Sequence, residues 1–190
     1  MSHDSLVWRV IERVPGHDYG IFRTRFLDAS HPETGAVRRF SAIDCADWVN
    51  VIALTRDDRV VLVRQYRHAA ETVCLEIPGG MVDPGEDPGA AAARELLEET
   101  GYAAPIWRRL GEVRPNPAIQ DNRLTTWLAL DAEPVAAATP DGGEVLATET
   151  ASLPEIEAML RDGRIDHALV VVAFAHLALA GGGRLVRPPA

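Results

Sequence analysis

Residues 80–102 read GMVDPGEDPGAAAARELLEETGY, and their punctuation marks both ends of a helix. Asp87 stands where an N-cap side chain accepts from the first free backbone N–H groups, and Pro88 suits the first helical position. Ala90 to Ala93 favour the helix, and Gly101 suits a left-handed C-terminal cap. The spacing predicts a helix over 88–100. Within it Glu95 lies one turn from both Glu98 and Glu99, so three carboxylates share one face. Like charges at that spacing cost about a few tenths of a kcal/mol per pair, which a hard divalent cation with oxygen ligands reverses. The face is a candidate Mg²⁺ or Mn²⁺ platform. A solvated Glu-rich face carries the same residues, so the flanking pattern has to decide.

Upstream of this helix, Trp48 to Thr55 and Arg59 to Gln65 are apolar, β-branched runs separated by Arg56-Asp57-Asp58, a hairpin buried on both faces. Cys74 to Ile77 leads into the Pro78-Gly79-Gly80 loop. Downstream, Trp107 to Val113 and Arg123 to Leu130 read as strands around a loop with Pro115, Asn116 and Pro117. Ala132 to Gly143 is Ala-, Pro- and Gly-rich and reads as a mobile loop. Ser152 to Glu155 is a capping box opening a helix to about Arg161, and Asp166 is placed to cap a last apolar helix to about Ala180. The first 45 residues hold three β-type runs, Leu6 to Val14, Tyr19 to Leu27 and Ala36 to Ile43, forming a small antiparallel sheet. Strands and helices so intermixed predict an α/β sandwich, with an N-terminal β extension over 1–45 and the main domain over 46–190.

Composition narrows the function. With 190 residues, 47% of them hydrophobic, the chain can bury one sizeable core. The net charge of -9 argues against a nucleic-acid partner and suits a cation. All 19 basic residues are Arg, so phosphate contacts fall to guanidinium forks and backbone N–H groups, and a Gly-Lys phosphate loop is excluded. Cys45 and Cys74 lack metal-ligand spacing and are expected as buried thiols. His68, His167 and His176 are scattered without zinc-site spacing, and histidine is assigned no chemistry. No apolar run is long enough to span a membrane and no signal-peptide core is present, so a cytoplasmic location is expected.

From Gly80 the residues fit G-x5-E-x7-R-E-U-x-E-E-x-G-U, where U is bulky and apolar, at Gly80, Glu86, Arg94, Glu95, Leu96, Glu98, Glu99 and Gly101. This resembles the Nudix box at every fixed position, departing only at Tyr102, where an aliphatic residue is more usual; with its flanks the resemblance covers about residues 46–180. The residues have physical roles beside the name. Gly80 and Gly85 allow a tight loop, Arg94 can pair with Glu86 to orient loop against helix, and Leu96 and Leu97 anchor the helix in the core. The resemblance implies a Nudix-type α/β/α sandwich with a mixed central sheet, and a pyrophosphohydrolase in which Glu95, Glu98, Glu99 and the Gly79 carbonyl hold two or three Mg²⁺ ions, Mn²⁺ being the alternative. Arg94 belongs to the catalytic set. The general base is placed either at Glu98 or on a downstream loop, which offers Asp141, Glu144 and Glu149; Glu144 is favoured because Gly142-Gly143 before it would let the loop close.

Val60 to Arg67, Leu75 to Gly80 and Pro117 look like the flanks of the ADP-ribose pyrophosphatase branch. They imply hydrolysis of a nucleoside diphosphate sugar, ADP-ribose-like or GDP-mannose-like, to nucleoside monophosphate and sugar phosphate. Arg67 is the candidate for a phosphate or ribose contact, Trp48 for stacking on the base, and the loop with Asn116, Pro117 and Asp121 for reading the sugar. That loop, PNPAIQDN, departs from the Pro-Gly-rich form of ADP-ribose enzymes, which puts ADP-ribose itself in question. The N-terminal strands resemble a sheet that exchanges between subunits of a homodimer, with Glu12 to Arg25 lining the partner's site. Two alternatives stay open: a hydrolase of nucleoside triphosphates, oxidised ones included, which generally occurs in shorter chains, and a non-catalytic nucleotide-sugar sensor, which usually lacks box carboxylates.

Overall fold

The computed structural model describes residues 3–140 and 143–188. The chain divides into two compact units, residues 1–46 with 114–123, and residues 47–113 with 124–190.

In the first unit, β1 (Arg9–Asp18), β2 (Phe22–Ser30) and β3 (Val37–Cys45) form an antiparallel meander. β1 starts and ends later than the Leu6 to Val14 run. Its ladder tolerates Pro15-Gly16 because the register slips between Pro15 and Asp18. Loop 114–123 joins this sheet through a parallel bridge from Ile43 to Gln120 and a 2.7 Å bond from the Ile43 N–H to the Ile119 carbonyl. Arg25 fastens it further, pairing with both Asp44 and Asp121.

The second unit is a mixed sheet between helices. Its strands are β4 (Trp48–Thr55), β5 (Arg59–Arg67), β6 (Thr72–Glu76), β7 (Gly79–Met81), β8 (Tyr102–Ala103), β9 (Ile106–Val113), β10 (Leu124–Pro134) and β11 (Leu146–Ser152). The central path runs β11-β5-β4-β10-β8, with β6 beside β5, β7 beside β4 and β9 beside β10. β4 and β10 are parallel, Trp48 opposite Leu124, and the other pairings are antiparallel. Side chains alternate between two cores, as strands covered on both faces require. Val49, Val51 and Ala53 pack with Ala91, Ala92 and Leu96 of α1 (Pro88–Thr100). Ile52 and Leu54 pack with Ile156 of α2 (Leu153–Asp162) and with Val170, Phe174 and Leu177 of α3 (Ala168–Ala180). This is the expected α/β/α sandwich.

Four local expectations are corrected. Leu96 is fully buried but Leu97 is 40% exposed, because neighbours on a helix point about 100° apart and only one can enter the core. Asp166 does not cap α3: the N-cap is His167, whose side chain makes no capping bond. Cys45 and Cys74 are half-buried and form no disulfide. The segment after Ala132 is not a free loop. β10 continues to Pro134, the Gly101 carbonyl accepts from Val135 and Ala136, and the Glu98 carbonyl accepts from Thr139 at 2.8 Å. Beyond it β11, with little bulky apolar content, forms by pairing along β5.

Candidate active site

The box folds into a site because its ends are fixed first. The Asp87 carboxylate accepts from the Gly89 and Ala90 N–H groups at 2.9 and 3.1 Å, and Gly101 takes φ 74° while its N–H closes on the Leu97 carbonyl. With Leu96 buried on the sheet, Arg94, Glu95, Glu98 and Glu99 follow the helix edge. Arg94 is the hub. Its Nε and Nη2 fork onto Glu86 at 3.0 and 2.9 Å, its Nη1 reaches Glu95 at 2.9 Å and Glu98 at 3.1 Å, and Nη2 also donates to the Met81 carbonyl at 3.0 Å. A guanidinium has five N–H donors, so all five are committed and Arg94 organises the loop and helix. The hydrogen bonds to Glu86 foremost hold its charge on more firmly than usual.

Glu99 lies deepest, 6% exposed, and accepts from the Gly79 N–H at 2.9 Å. Burial pushes its carboxyl up to about 8 against that donation, aided by the charges of Glu95 and Glu144. Glu95 is also raised, by burial first, with Arg94 opposing and Glu98 and Glu144 adding to the rise. Gly79-Gly80 permits this closeness: a Cβ on Gly79 would strike the Val49 carbonyl, and one on Gly80 the Glu95 carboxylate.

Of the downstream carboxylates, Glu144 is held by Gln65, which donates to it at 3.1 Å, and its charge adds to the rise of the Glu95 and Glu99 carboxyls. Glu149 instead forks with Arg64 across the β11–β5 pair at 2.8 and 2.9 Å. Asp141 lies outside the described residues. The Nε–Nη2 edge of Arg67 is already bidentate on Glu76 at 2.7 and 2.8 Å, leaving three N–H donors of the guanidinium. Trp48 is half-buried where β4 begins, opposite Met81 and Leu124. Asn116, Pro117 and Asp121 belong to the first unit; Asn116 and Pro117 are exposed, the Asn116 carbonyl closes a turn on Ile119 and Gln120, and Asp121 bonds Arg25 at 3.0 Å.

Sequence reasoning missed Gln65, Glu76 and His167. Glu76 is 4% exposed and takes a 3.0 Å contact from His167 Nδ1 besides the Arg67 fork. Burial alone would raise its carboxyl, but Arg67 and His167 outweigh it and hold it down to about 2. An acid ending the apolar run Val73 to Leu75 was the available signal.

The donors suit a hard divalent cation: Glu95, Glu98 and Glu99 offer only oxygen, and two of them are crowded with like charge while sheltered from water. Among the described residues no three His, Cys, Asp or Glu side chains form a ready-made cage. Glu95 and Glu98 are held on Arg94, so a cation would have to compete with the guanidinium for them.

Residues 47–174 match the family model of the NUDIX domain. The chain belongs to the Nudix family of hydrolases, which act on pyrophosphate bonds. The chain is 33% identical over 132 residues to the methanol dehydrogenase activator of Bacillus methanolicus, covering 69% of this chain and 71% of that one. It is 34% identical over 94 residues to the ADP-ribose pyrophosphatase of Saccharomyces cerevisiae, covering 47% of this chain and 41% of the relative. The solved structure of an ADP compounds hydrolase superposes with a TM-score of 0.81 over 94% of this chain and 97% of its own, at 23% identity, which shows a shared fold. Among the described residues no helix is long and apolar enough to cross a membrane.

Proposed function

We propose that this Nudix hydrolase uses Mg²⁺, with Mn²⁺ as the alternative, to split a nucleoside diphosphate sugar, ADP-ribose-like or GDP-mannose-like, into a nucleoside monophosphate and a sugar phosphate. The observation that carries the reading is the gathering of Glu95, Glu98 and Glu99 along α1, the first two bonded to Arg94 and the third to the Gly79 N–H, with Glu144 held by Gln65 of β5. Glu95, Glu98 and Glu99 would hold the cation with the Gly79 carbonyl. The chemistry such an ion would supply when bound is neutralisation of charge on the phosphoryl oxygens and a lowered pKa for a water. The chain's own residues do the rest. Arg94 keeps Glu95 and Glu98 on one edge, Gln65 aims Glu144, and Glu144 takes the proton of the attacking water, Glu98 being the second candidate. Arg67 is assigned to the diphosphate and Trp48 to the base. Support for the substrate class comes from the yeast ADP-ribose pyrophosphatase among the relatives.

A homodimer through the N-terminal sheet belongs to the same proposal, supported by exposed Leu6, Val7, Ile11, Tyr19, Ile21, Val37 and Phe40 in the first unit. Light scattering that gives the mass of one chain would remove it.

The test is incubation with ADP-ribose, GDP-mannose, UDP-glucose and dGTP, with and without Mg²⁺, beside the double variant Glu98→Gln/Glu99→Gln. Metal-dependent release of a nucleoside monophosphate from a diphosphate sugar, absent in the variant, is expected. Turnover of dGTP alone points to a triphosphate hydrolase, and binding without turnover to a sensor.

A further inference from the structure

His167 occupies the N-cap position of α3, yet its side chain makes no capping hydrogen bond there. The backbone does the local work, the His167 carbonyl accepting from Val170 and Val171 at 3.0 Å each. The imidazole reaches instead across 91 positions of sequence to Glu76, Nδ1 lying 3.0 Å from Oε2. Glu76, its side chain 5% exposed, is an ionised carboxylate at neutral pH and can only accept, so Nδ1 carries the proton. The same carboxylate takes both arms of the Arg67 fork. Arg67 sits on the border of the site: its side chain is 44% exposed, and it lies two residues along β5 from Gln65, on the same strand face, where Gln65 donates to Glu144 at 3.1 Å.

We propose that His167 is a positioning residue, fixing the Glu76 carboxylate so that the Arg67 guanidinium, on the strand face it shares with Gln65, is held for a phosphoryl oxygen of the substrate. This rests on the diphosphate reading above. A fork bonded on one edge to a fixed, buried acceptor keeps its remaining N–H groups in one plane and direction, which a flexible Arg would have to be ordered to achieve on binding. Without the bond from Nδ1, one oxygen of Glu76 loses a partner and the carboxylate can rotate about its terminal torsion, carrying Arg67 with it. The side chain of the residue that precedes α3 thus acts on the site through two intermediaries and touches no substrate.

The test uses the whole chain with Mg²⁺ and whichever of ADP-ribose, GDP-mannose and UDP-glucose wild type turns over best, in the variants His167→Ala, His167→Asn, Arg67→Ala and the double variant His167→Ala/Arg67→Ala. His167→Ala is expected to raise KM about tenfold while kcat stays within about threefold, the signature of lost binding common to ground and transition states. His167→Asn, whose amide N–H can replace Nδ1–H, should restore most of it. In the Arg67→Ala background the His167→Ala change should add nothing, since the two act as one unit. A wild-type KM in folded His167→Ala, or full additivity in the double variant, overturns the proposal. If wild type turns over none of the three diphosphate sugars, the diphosphate reading is what fails. The positioning is then judged by the Arg67 Nε–H resonance, which should be sharp and slowly exchanging in wild type and lost in His167→Ala; its persistence there overturns the proposal independently.

Discussion

Around Arg94 one cation sits among the carboxylates of Glu86, Glu95 and Glu98; around Glu76 one carboxylate sits between the cation of Arg67 and the ring N–H of His167. The two hubs are charge inverses of each other and are built from different ranges of sequence. Every partner of Arg94 lies between Met81 and Glu98, so its geometry follows once α1 and the loop before it form. Glu76 draws on β5 and on the residue before α3, and exists only after the sheet and the last helix have come together. The Arg94 hub holds the acids that would meet a cation, whereas the Glu76 hub fixes a cation that would meet the phosphate.

Removing a functional acid from the local hub should have the largest effect. Glu98→Gln is expected to lower kcat by about 10²- to 10⁴-fold in steady-state assays of diphosphate-sugar turnover, the range for a group that moves a proton or holds the catalytic ion. Activity near wild type would mean that this hub is scaffolding alone. Emptying its centre comes next. Arg94→Ala should cost about 2–3 kcal/mol in urea unfolding, since it leaves partly buried Glu86, Glu95 and Glu98 facing one another unpaired. Added Mg²⁺ should recover part of that loss if the acids then take the ion.

The distant hub is distinguished by pH. The Glu76 carboxyl ionises at about 2 in the folded chain against 4.5 ordinarily, because the bonds from Arg67 and His167 overcome the effect of burial. A depressed folded value gives stability that is complete above about 4.5 and is lost as the pH falls through 2. Wild type should therefore shed about 2–3 kcal/mol across that window on this account, and Glu76→Gln should flatten that part of the curve. Equal slopes in the two proteins would show that the hub does not exist in solution. The smallest effect tests the local frame: Asp87→Ala should lower stability by about 1 kcal/mol through loss of the two N-cap bonds.

Legibility followed range of contact. The bounds of α1 and both its caps were readable because helix punctuation acts within four residues, as was the sharing of a face by Glu95, Glu98 and Glu99. β4 was readable because a strand buried on both faces is apolar throughout. β11 was not, for its Leu-Ala-Thr-Glu-Thr-Ala-Ser run has weak intrinsic preference and becomes a strand through the ladder to β5. Arg67 was recognised as a fork but not as one already engaged, and Glu144 was favoured over Glu149 only for the glycines before it, whereas the structure separates them by setting Arg64 beside Glu149 and Gln65 beside Glu144.

By itself the sequence determined the helix, the carboxylate face, the glycines that let β7 approach it, and through these the family. Tertiary structure decided how deep each acid lies, which downstream carboxylate turns toward the patch, and that a histidine 91 residues from Glu76 completes its hub. The physical reason is that capping and helical spacing are local interactions, whereas desolvation and the pairing of charges depend on which distant surfaces close over them.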